Sequence, residues 1–169
     1  MNLGTIIIES LWLFLPAGIA NLIPPLVKKI NLFSTPINKN LFGSHKTIRG
    51  FLFGIIGAMI AAWIQGQANW SAYNLLNYTQ WAAIGILMGS GALVGDLVKS
   101  YFKRRFRIKP GQSWLFFDQT DWIIGAILFS LPLGIFEFQV YLAGIIIYAL
   151  IHVLTNYLGY LLNINKQPI

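Results

Sequence analysis

The sequence predicts an all-α integral membrane protein, a compact bundle of five transmembrane helices with the N-terminus outside and the C-terminus in the cytoplasm. Three observations predict this fold: the composition, the number of long apolar segments, and the positions of lysine and arginine. Of the 169 residues, 56% are hydrophobic and only 10% are charged. A soluble domain carries about a quarter charged residues, so a chain this apolar is expected to face lipid.

Five segments are long and apolar enough to approach the roughly 20 residues that a membrane-spanning helix needs. They cover residues 6–27, 50–65, 81–98, 122–138 and 141–162. The last two nearly abut, which predicts a tight hairpin between them. Residues 1–15 have no basic stretch ahead of their apolar core, so we expect the first segment to be retained as a helix and not removed as a signal peptide.

Lysine and arginine alternate from one connection to the next. The connection after the first segment holds Lys28, Lys29, Lys39, Lys46 and Arg49. The connection after the third holds Lys99, Lys103, Arg104, Arg105, Arg107 and Lys109, and the tail holds Lys166. Because these residues mark cytoplasmic loops, they predict the stated orientation in the plasma or inner membrane. The net charge of +7 lies in membrane-flanking loops and does not indicate nucleic acid binding.

Length and residue types narrow the function classes. The length predicts one membrane-embedded domain over residues 1–169, and the chain has no cysteine, which excludes disulfides and thiolate metal sites. The absence of an internal repeat argues against a small transporter. Glycines of the third segment have spacings that let helices approach closely, within one chain or between chains, so they leave the oligomeric state open. They are Gly85, Gly89, Gly91 and Gly95.

Three of the five carboxylates bracket the second basic connection. If the third helix continues past Val98, Asp96, Ser100 and Lys103 lie on one helix face. Asp118 and Asp121 lie three residues apart at the start of the fourth helix, so their side chains point to one side and could share a cation. Mg²⁺ prefers carboxylate and phosphate oxygens, and the surrounding lysines and arginines suit phosphates.

A structural role for the same residues is an open alternative. Asp118 could cap the fourth helix, and Asp121 could interact with the positive end of its dipole. Asp96 could pair with Lys99 or Lys103, and the basic run could anchor the chain to anionic headgroups. Spacing alone does not decide between the two roles.

Other polar residues mark further candidate contacts. Residues 43–50 combine flexible backbone, hydroxyls and two cations, as a phosphate-binding segment does, but without Walker spacing. Pro16, Asn21, Pro24 and Pro25 interrupt the first segment, which predicts a kinked helix end that lines a pocket. His152 and Asn156 share one face of the fifth segment, where they could form a packing hydrogen bond or contact a ligand.

Taken together, these motifs resemble those of the CDP-archaeol synthase family, membrane cytidylyltransferases related more distantly to phosphatidate cytidylyltransferases. The resemblance covers nearly the whole chain. It rests on these blocks: Pro16-Ala17 with Ala20-Asn21 and Pro24; Gly43 with Lys46-Thr47 and Arg49-Gly50; Gly95-Asp96-Leu97 with Ser100 and Lys103-Arg104-Arg105; Gly111, Asp118-Gln119 and Asp121; His152 and Asn156.

The resemblance implies an Mg²⁺-dependent reaction of a lipid phosphate with CTP that forms a CDP-activated lipid and pyrophosphate on the cytoplasmic face. It implies catalytic roles for Asp96, Asp118, Asp121 and Lys103, with the three aspartates as metal ligands. The residues expected to contact nucleotide or phosphate are Asn21, Lys46, Thr47, Arg49, Ser100, Arg104 and Arg105. The expected acceptor is digeranylgeranylglycerol phosphate. The alternatives are a phosphatidate-type acceptor, as in a bacterial homologue, and a non-enzymatic membrane module whose basic loops bind anionic lipid.

Overall fold

Helices account for most of the chain in the computed structural model, which describes residues 2–68, 70–108, 112, 114 and 116–161. The predictions for Lys109, Gly111, Leu162, Lys166 and the cytoplasmic C-terminus therefore concern residues outside the described ones. The helices are α1 Leu3–Leu26, α2 Lys39–Phe42, α3 Ile48–Ala68, α4 Trp81–Arg105, α5 Phe117–Ser130 and α6 Phe138–Leu161. Within the described residues the single bridge between extended segments joins Pro36 and Thr47.

Four of these helices are long and apolar enough to cross a membrane: α1, α3, α4 and α6. On α3, the exposed side chains Leu52, Ile56, Ile60 and Trp63 follow one another every three or four residues, which is the spacing of one helix face. Exposed apolar surface of this kind marks a face that contacts a membrane or another protein, and this face lies on a helix long enough to span a bilayer. The all-α membrane class predicted from composition is therefore confirmed.

Two predicted boundaries are wrong. The third segment does not end at Val98, because α4 continues to Arg105. Lysine and arginine form helices well and are favoured at the negative end of the helix dipole, so hydropathy ends this helix too early. The fourth segment does not run to Phe138, because α5 ends at Ser130 and a 3₁₀ turn over Leu131–Leu133 follows.

The 14-residue α5 is too short to count among the four membrane-spanning helices. Its early end has a local cause, since Pro132 lies in the 3₁₀ turn and Gly134 has a φ of 149°, a conformation that favours glycine. The predicted fifth crossing accordingly stays a prediction.

Neighbouring helices run in alternating directions between two ends of the bundle. Gly50 lies against Pro24, and the Gln65 side chain donates to the Trp12 carbonyl, so α3 is antiparallel to α1. Gly85 and Gly89 of α4 lie against Met59 and Ile55 of α3, which makes that pair antiparallel too.

The sixth helix instead runs parallel to the first. The Ser10 hydroxyl donates to the Val140 carbonyl, and Gly18 lies against Tyr148. The C-terminal ends of α1, α4 and α6 therefore lie at the same end of the bundle as the N-terminal ends of α3 and α5. We call this the charged end, because it carries Lys46, Asp96 and Asp118.

A close helix contact joins α4 and α5 through three glycines. A Cβ atom at Gly91 would lie 2.6 Å from the Gly125 carbonyl oxygen, and Gly125 has no room for a Cβ against Gly91. At Gly95 a Cβ would overlap the carbonyl oxygen of Asp121. The close approach predicted from the glycine spacing is thus present, and it brings the start of α5 against the last turns of α4.

Replacing Gly95 with alanine is expected to force α4 and α5 apart. Overpacking of this kind costs about 1–3 kcal/mol, so the thermal unfolding midpoint in detergent, followed by tryptophan fluorescence, should fall. Gly4→Ala is the matched control, because a Cβ there has its nearest neighbour at 3.5 Å. Equal midpoints for Gly95→Ala and the unmodified protein would contradict the described contact.

Candidate functional site

Three carboxylates from two helices meet at the charged end. Asp96 lies near the end of α4, and Asp118 and Asp121 lie in the first two turns of α5. The three side chains share one neighbour, the Nζ atom of Lys99. This atom lies 3.1 Å from Asp96 Oδ1, 3.3 Å from Asp118 Oδ1 and 3.1 Å from Asp121 Oδ2.

Lys99 was not among the predicted site residues, although it was considered as a structural partner of Asp96. It lies three residues after Asp96 on α4, one turn further along the same helix. That spacing is the signal that identifies it, provided that the helix continues past Val98. Because the predicted helix ended at Val98, the sequence assigned Lys99 to a loop.

A second lysine, Lys103, also forms an ion pair with Asp118. Lys103 Nζ lies 2.7 Å from Asp118 Oδ1, and it also donates to the Gln112 carbonyl at 3.0 Å. The backbone N–H of Trp114 donates to Asp118 Oδ2 at 2.6 Å. The carboxylate therefore ties the segment before α5 to the end of α4.

The structure corrects the capping alternative for Asp118. Helix α5 begins at Phe117, its N-cap residue is Phe116, and no described side chain caps it. Asp118 lies two residues beyond the cap position, and its oxygens accept from Lys103 and Trp114 and not from the first N–H groups of the helix. Its role in the ion cluster is the one that the geometry supports.

The first connection contributes Lys46 to the same cluster, through an ion pair with Asp96. The segment folds back on itself, with the Ile37 N–H donating to the Lys46 carbonyl at 2.8 Å and the bridge between Pro36 and Thr47 beside it. The Thr47 hydroxyl accepts from the Gly50 N–H at 3.2 Å, in the manner of a helix cap at the start of α3.

Arg49 lies apart from the carboxylates. It is buried, and its guanidinium donates to the Ile30 carbonyl, which fixes the first connection against α3. This contact makes Arg49 a positioning residue for the segment that carries Lys46.

Within the described part of the chain, the other predicted residues of α4 form no ion pair with the three carboxylates; they are Ser100, Arg104 and Arg105. The Ser100 hydroxyl is buried and donates to the Asp96 carbonyl at 2.8 Å, an intrahelical bond that leaves the carboxylate untouched. Arg104 donates to the Ile108 carbonyl at 3.3 Å, and its Nε atom is buried without a hydrogen bond. Arg105 is exposed, and within the described residues it forms no ion pair.

A cavity of about 400 Å³ opens beside the cluster. Its polar walls come from the first connection, the end of α1 and Asp96, and it is lined in part by Asn21, Lys28, Ser44, His45, Lys46, Thr47, Asp96 and His152. Asp118 and Asp121 do not line it, so the pair of Lys46 and Asp96 is the part of the cluster that faces the cavity. Lys28 was not predicted as a site residue, and Ser44 was predicted only as part of the segment 43–50.

A larger cavity of about 1000 Å³ follows α1 on the side of α6. Most of its wall is apolar, and it extends from Ile8 to Pro25 on α1, about 25 Å at the rise of an α-helix. Trp12 and Trp70 line the far end, with ring centroids 4.8 Å apart, and Trp12 Nε1 donates to Asn74 at 2.8 Å. His152 and Asn156, for which the sequence left a packing hydrogen bond and a ligand contact as alternatives, line the end of this cavity that is nearer the charged end.

The two cavities meet at shared residues. Asn21, Pro25 and His152 line both of them. Asn21 and Pro25 lie near the end of α1, where the prolines predicted a disturbed helix that lines a pocket. The helix nevertheless runs unbroken to Leu26 with all three prolines inside it.

The oxygens of the cluster fit a hard cation. Only 6% of the Asp121 side chain is exposed; its Oδ2 atom lies 3.1 Å from the Lys99 ammonium, and its Oδ1 atom has no hydrogen-bond donor among the described residues. Carboxylate oxygens are the ligands that Mg²⁺ prefers, so the buried Oδ1 atom is available to a cation. Within the described part of the chain, no three His, Asp or Glu side chains are arranged to chelate a metal as they stand; the Lys99 ammonium lies where the three carboxylates converge.

Comparisons with known proteins give one consistent result. The family model of CarS-like CDP-archaeol synthases matches residues 3–169. The CDP-archaeol synthase of Pyrococcus furiosus is 32% identical over 170 residues, which cover 96% of this chain and 98% of the relative. The CDP-archaeol synthase of Methanosarcina mazei is 31% identical over 145 residues, 77% of this chain and 83% of the relative.

A solved structure resembles the whole fold as well. It is described as an intramembrane enzyme for archaeal membrane lipid biosynthesis. The two chains superpose with a TM-score of 0.74 at 28% identity, over 89% of this chain and 94% of the other.

Proposed function

The chain belongs to the CDP-archaeol synthase family, and we propose that it transfers the cytidylyl group of CTP to a lipid phosphate embedded in the membrane. The family consists of cytidylyltransferases, so the chain is an enzyme and not a passive lipid-binding module. The observation that carries the proposal is the junction of the two cavities. A cavity lined by Lys46 and Asp96 shares wall residues there with a larger, mainly apolar cavity along α1.

The nucleotide is assigned to the smaller cavity. Lys28, Lys46 and His45 line it together with the hydroxyls of Ser44 and Thr47. Ammonium groups and hydroxyls stabilise phosphate oxygens by charge-assisted hydrogen bonds. This assignment keeps Lys46 and Thr47 as phosphate contacts, while Arg49 holds the segment that carries them.

The lipid chains are assigned to the larger cavity. Its wall is mainly apolar, and its 25 Å extent along α1 covers most of the hydrocarbon thickness of about 30 Å. The lipid phosphate then lies at the junction, next to Asn21 and His152, which can donate hydrogen bonds to it. The acceptor proposed is digeranylgeranylglycerol phosphate, since the relatives are named for the CDP-archaeol product; a phosphatidate-type acceptor is the alternative that the assay below separates.

The reaction needs little covalent help from the protein. An oxygen of the lipid phosphate attacks the α-phosphorus of CTP, the bond to the oxygen that bridges to the β-phosphate breaks, and that oxygen leaves with the electron pair as pyrophosphate. The second pKa of a phosphate monoester is about 6, so the attacking oxygen is already ionised at neutral pH. Catalysis then depends on positioning and on neutralising phosphate charge.

We assign the binding of Mg²⁺ to Asp96, Asp118 and Asp121. When bound, the ion would neutralise phosphate charge and orient the triphosphate. Lys103 holds Asp118 in place through its 2.7 Å ion pair. Arg104 and Arg105, at the end of the same helix, supply further positive charge at the charged end.

The orientation follows from the substrates. CTP is water-soluble and cytoplasmic, so the charged end is placed on the cytoplasmic face of the cell membrane. The N-terminus of α1 then lies outside and the C-terminus inside. In this arrangement α5 and the turn that follows it make the fifth crossing. The reason is that α5 starts at the charged end, whereas α6 starts beside the N-terminal half of α1, at the other end of the bundle.

The transfer is tested with purified protein in detergent, CTP, Mg²⁺ and either digeranylgeranylglycerol phosphate or a phosphatidate. Pyrophosphate release that requires the ether lipid supports the proposed acceptor, and release with the ester lipid alone overturns that choice. No Mg²⁺-dependent release with either lipid contradicts the proposed transfer.

Asp118→Asn is expected to lower kcat at least a hundredfold, because it removes the charge that pairs with Lys99 and Lys103. Glu137→Gln is the matched control, since it makes the same charge change at the exposed start of α6, at the other end of the bundle. Gel filtration should show both variants folded. Full activity of a folded Asp118→Asn enzyme would remove Asp118 from the site.

Trp12→Ala is expected to open the far end of the larger cavity. A lipid phosphate with one more isoprene unit per chain should then gain roughly tenfold in kcat/KM relative to the ordinary acceptor, since added buried methylenes stabilise binding. Trp63→Ala is the control, because Trp63 lies on the lipid-facing stripe of α3 and lines neither cavity. An unchanged substrate ratio in Trp12→Ala would place the chains elsewhere.

Reporter fusions test the orientation. A reporter joined after residue 169 should be active in the cytoplasm, and one inserted within residues 67–80 should be active outside. The reversed pattern would place the charged end on the wrong side for CTP.

A further inference from the structure

The ion cluster is charge-balanced without any metal or nucleotide. Its carboxylates are Asp96, Asp118 and Asp121, and its ammonium groups are those of Lys46, Lys99 and Lys103; five ion pairs connect them. Among the described residues, three negative charges therefore face three positive charges in this cluster. A further ion that enters alone disturbs this balance.

Lys99 differs from the other two lysines of the cluster, because it touches all three carboxylates. Lys46 pairs with Asp96 and Lys103 pairs with Asp118. Only 14% of the Lys99 side chain is exposed, and its Nζ lies within 3.3 Å of one oxygen from each aspartate. Those are the side chains assigned to the divalent ion, so the ammonium and the metal compete for the same oxygens.

We propose that Lys99 is a resident counter-cation, which occupies the place of the divalent ion in the resting enzyme and makes the metal and the nucleotide bind cooperatively. The divalent ion binds when the ammonium leaves the three carboxylates, and the triphosphate is the anion that receives the displaced ammonium. This inference rests on the proposed assignment of the three aspartates to the metal. It adds a positioning residue and a binding mechanism to that site.

Charge balance supplies the physical reason. A buried ion without compensation costs several kcal/mol. A divalent ion alone would leave the Lys99 ammonium without a carboxylate partner, and a triphosphate alone would enter beside three carboxylates. When both enter together, the divalent ion takes the place of the ammonium at the three carboxylates, and the triphosphate becomes the new partner of the ammonium. Binding of one therefore strengthens binding of the other, and the effect is reciprocal by linkage.

The first test measures Mn²⁺ binding without nucleotide, by electron paramagnetic resonance of the free ion in detergent solution. Lys99→Gln removes the competing ammonium, so it should bind Mn²⁺ at least about tenfold more tightly than the unmodified enzyme, about 1.4 kcal/mol. Lys99→Arg keeps the charge and should stay as weak as the unmodified enzyme. Lys29→Gln changes the net charge equally at an exposed residue that lines neither cavity, and it should leave the affinity unchanged.

Two results of this titration overturn the proposal. One is an unchanged Mn²⁺ affinity in Lys99→Gln, which would mean that the ammonium does not compete. The other is an equal gain in Lys29→Gln, which would mean that net charge alone acts.

The second test uses the unmodified enzyme and does not depend on how well any variant folds. Mn²⁺ is titrated with and without an α,β-methylene analogue of CTP, which cannot transfer its cytidylyl group. The analogue should raise the Mn²⁺ affinity at least about tenfold, and Mn²⁺ should raise the affinity of the analogue by the same factor. Independent binding of the two would overturn the proposal.

Neither titration involves the lipid acceptor or turnover. Cooperative binding without lipid transfer would contradict the proposed function and leave the role of Lys99 intact. Lipid transfer together with independent binding of Mn²⁺ and the analogue would support the proposed function and contradict the proposed role of Lys99.

Discussion

The close contact of α4 with α5 is the constraint on which the site depends. Gly91, Gly95 and Gly125 let the two backbones touch, and a single Cβ at Gly95 would collide with the carbonyl of Asp121. Asp121 is itself one of the three carboxylates. The position that admits no side chain therefore lies directly against a residue of the site, so helix packing and the geometry of the charged cluster are set by the same contact.

The charged cluster lies at the end of a bundle surrounded by hydrocarbon, where unpaired ions are costly. Two charges 4 Å apart interact by about 4 kcal/mol at an effective dielectric constant of 20, so the five ion pairs help to hold the connecting segments against the end of α4. Through Lys46 the first connection is tied to α4, and through Asp118 the segment before α5 is tied to the same helix. Folding of these connections and assembly of the site are thus one process.

Much of this arrangement could be predicted from the sequence. Hydropathy identifies four of the membrane helices, and the three-residue spacing of Asp118 and Asp121 predicts that they point to one side. Lys99 was assigned to a loop because hydropathy ends a helix where charge begins, whereas α4 continues to Arg105 as a helix stabilised by its own basic residues. The cavities could not be predicted, because they depend on which faces of α1 and α6 meet.

Polar residues that look equivalent in the sequence have different roles in the structure, and their spacing does not show the difference. Lys46 and Arg49 lie three residues apart and looked equivalent, yet Lys46 pairs with a carboxylate, whereas Arg49 turns to a backbone carbonyl and holds the chain. Ser100 likewise satisfies its hydroxyl within its own helix. The difference between Lys46 and Arg49 arises from tertiary contacts with other segments of the chain, whereas Ser100 makes a local bond four residues back along α4.

The junction at Asn21, Pro25 and His152 has a consequence for how the two substrates arrive. With the assignments proposed above, one reactant diffuses in three dimensions through water, while the other diffuses in two dimensions within the bilayer. The rate of encounter with CTP then depends on its bulk concentration, but encounter with the lipid depends on its mole fraction in the membrane. Diluting the acceptor with inert lipid would slow the enzyme even when the total amounts of both substrates are unchanged.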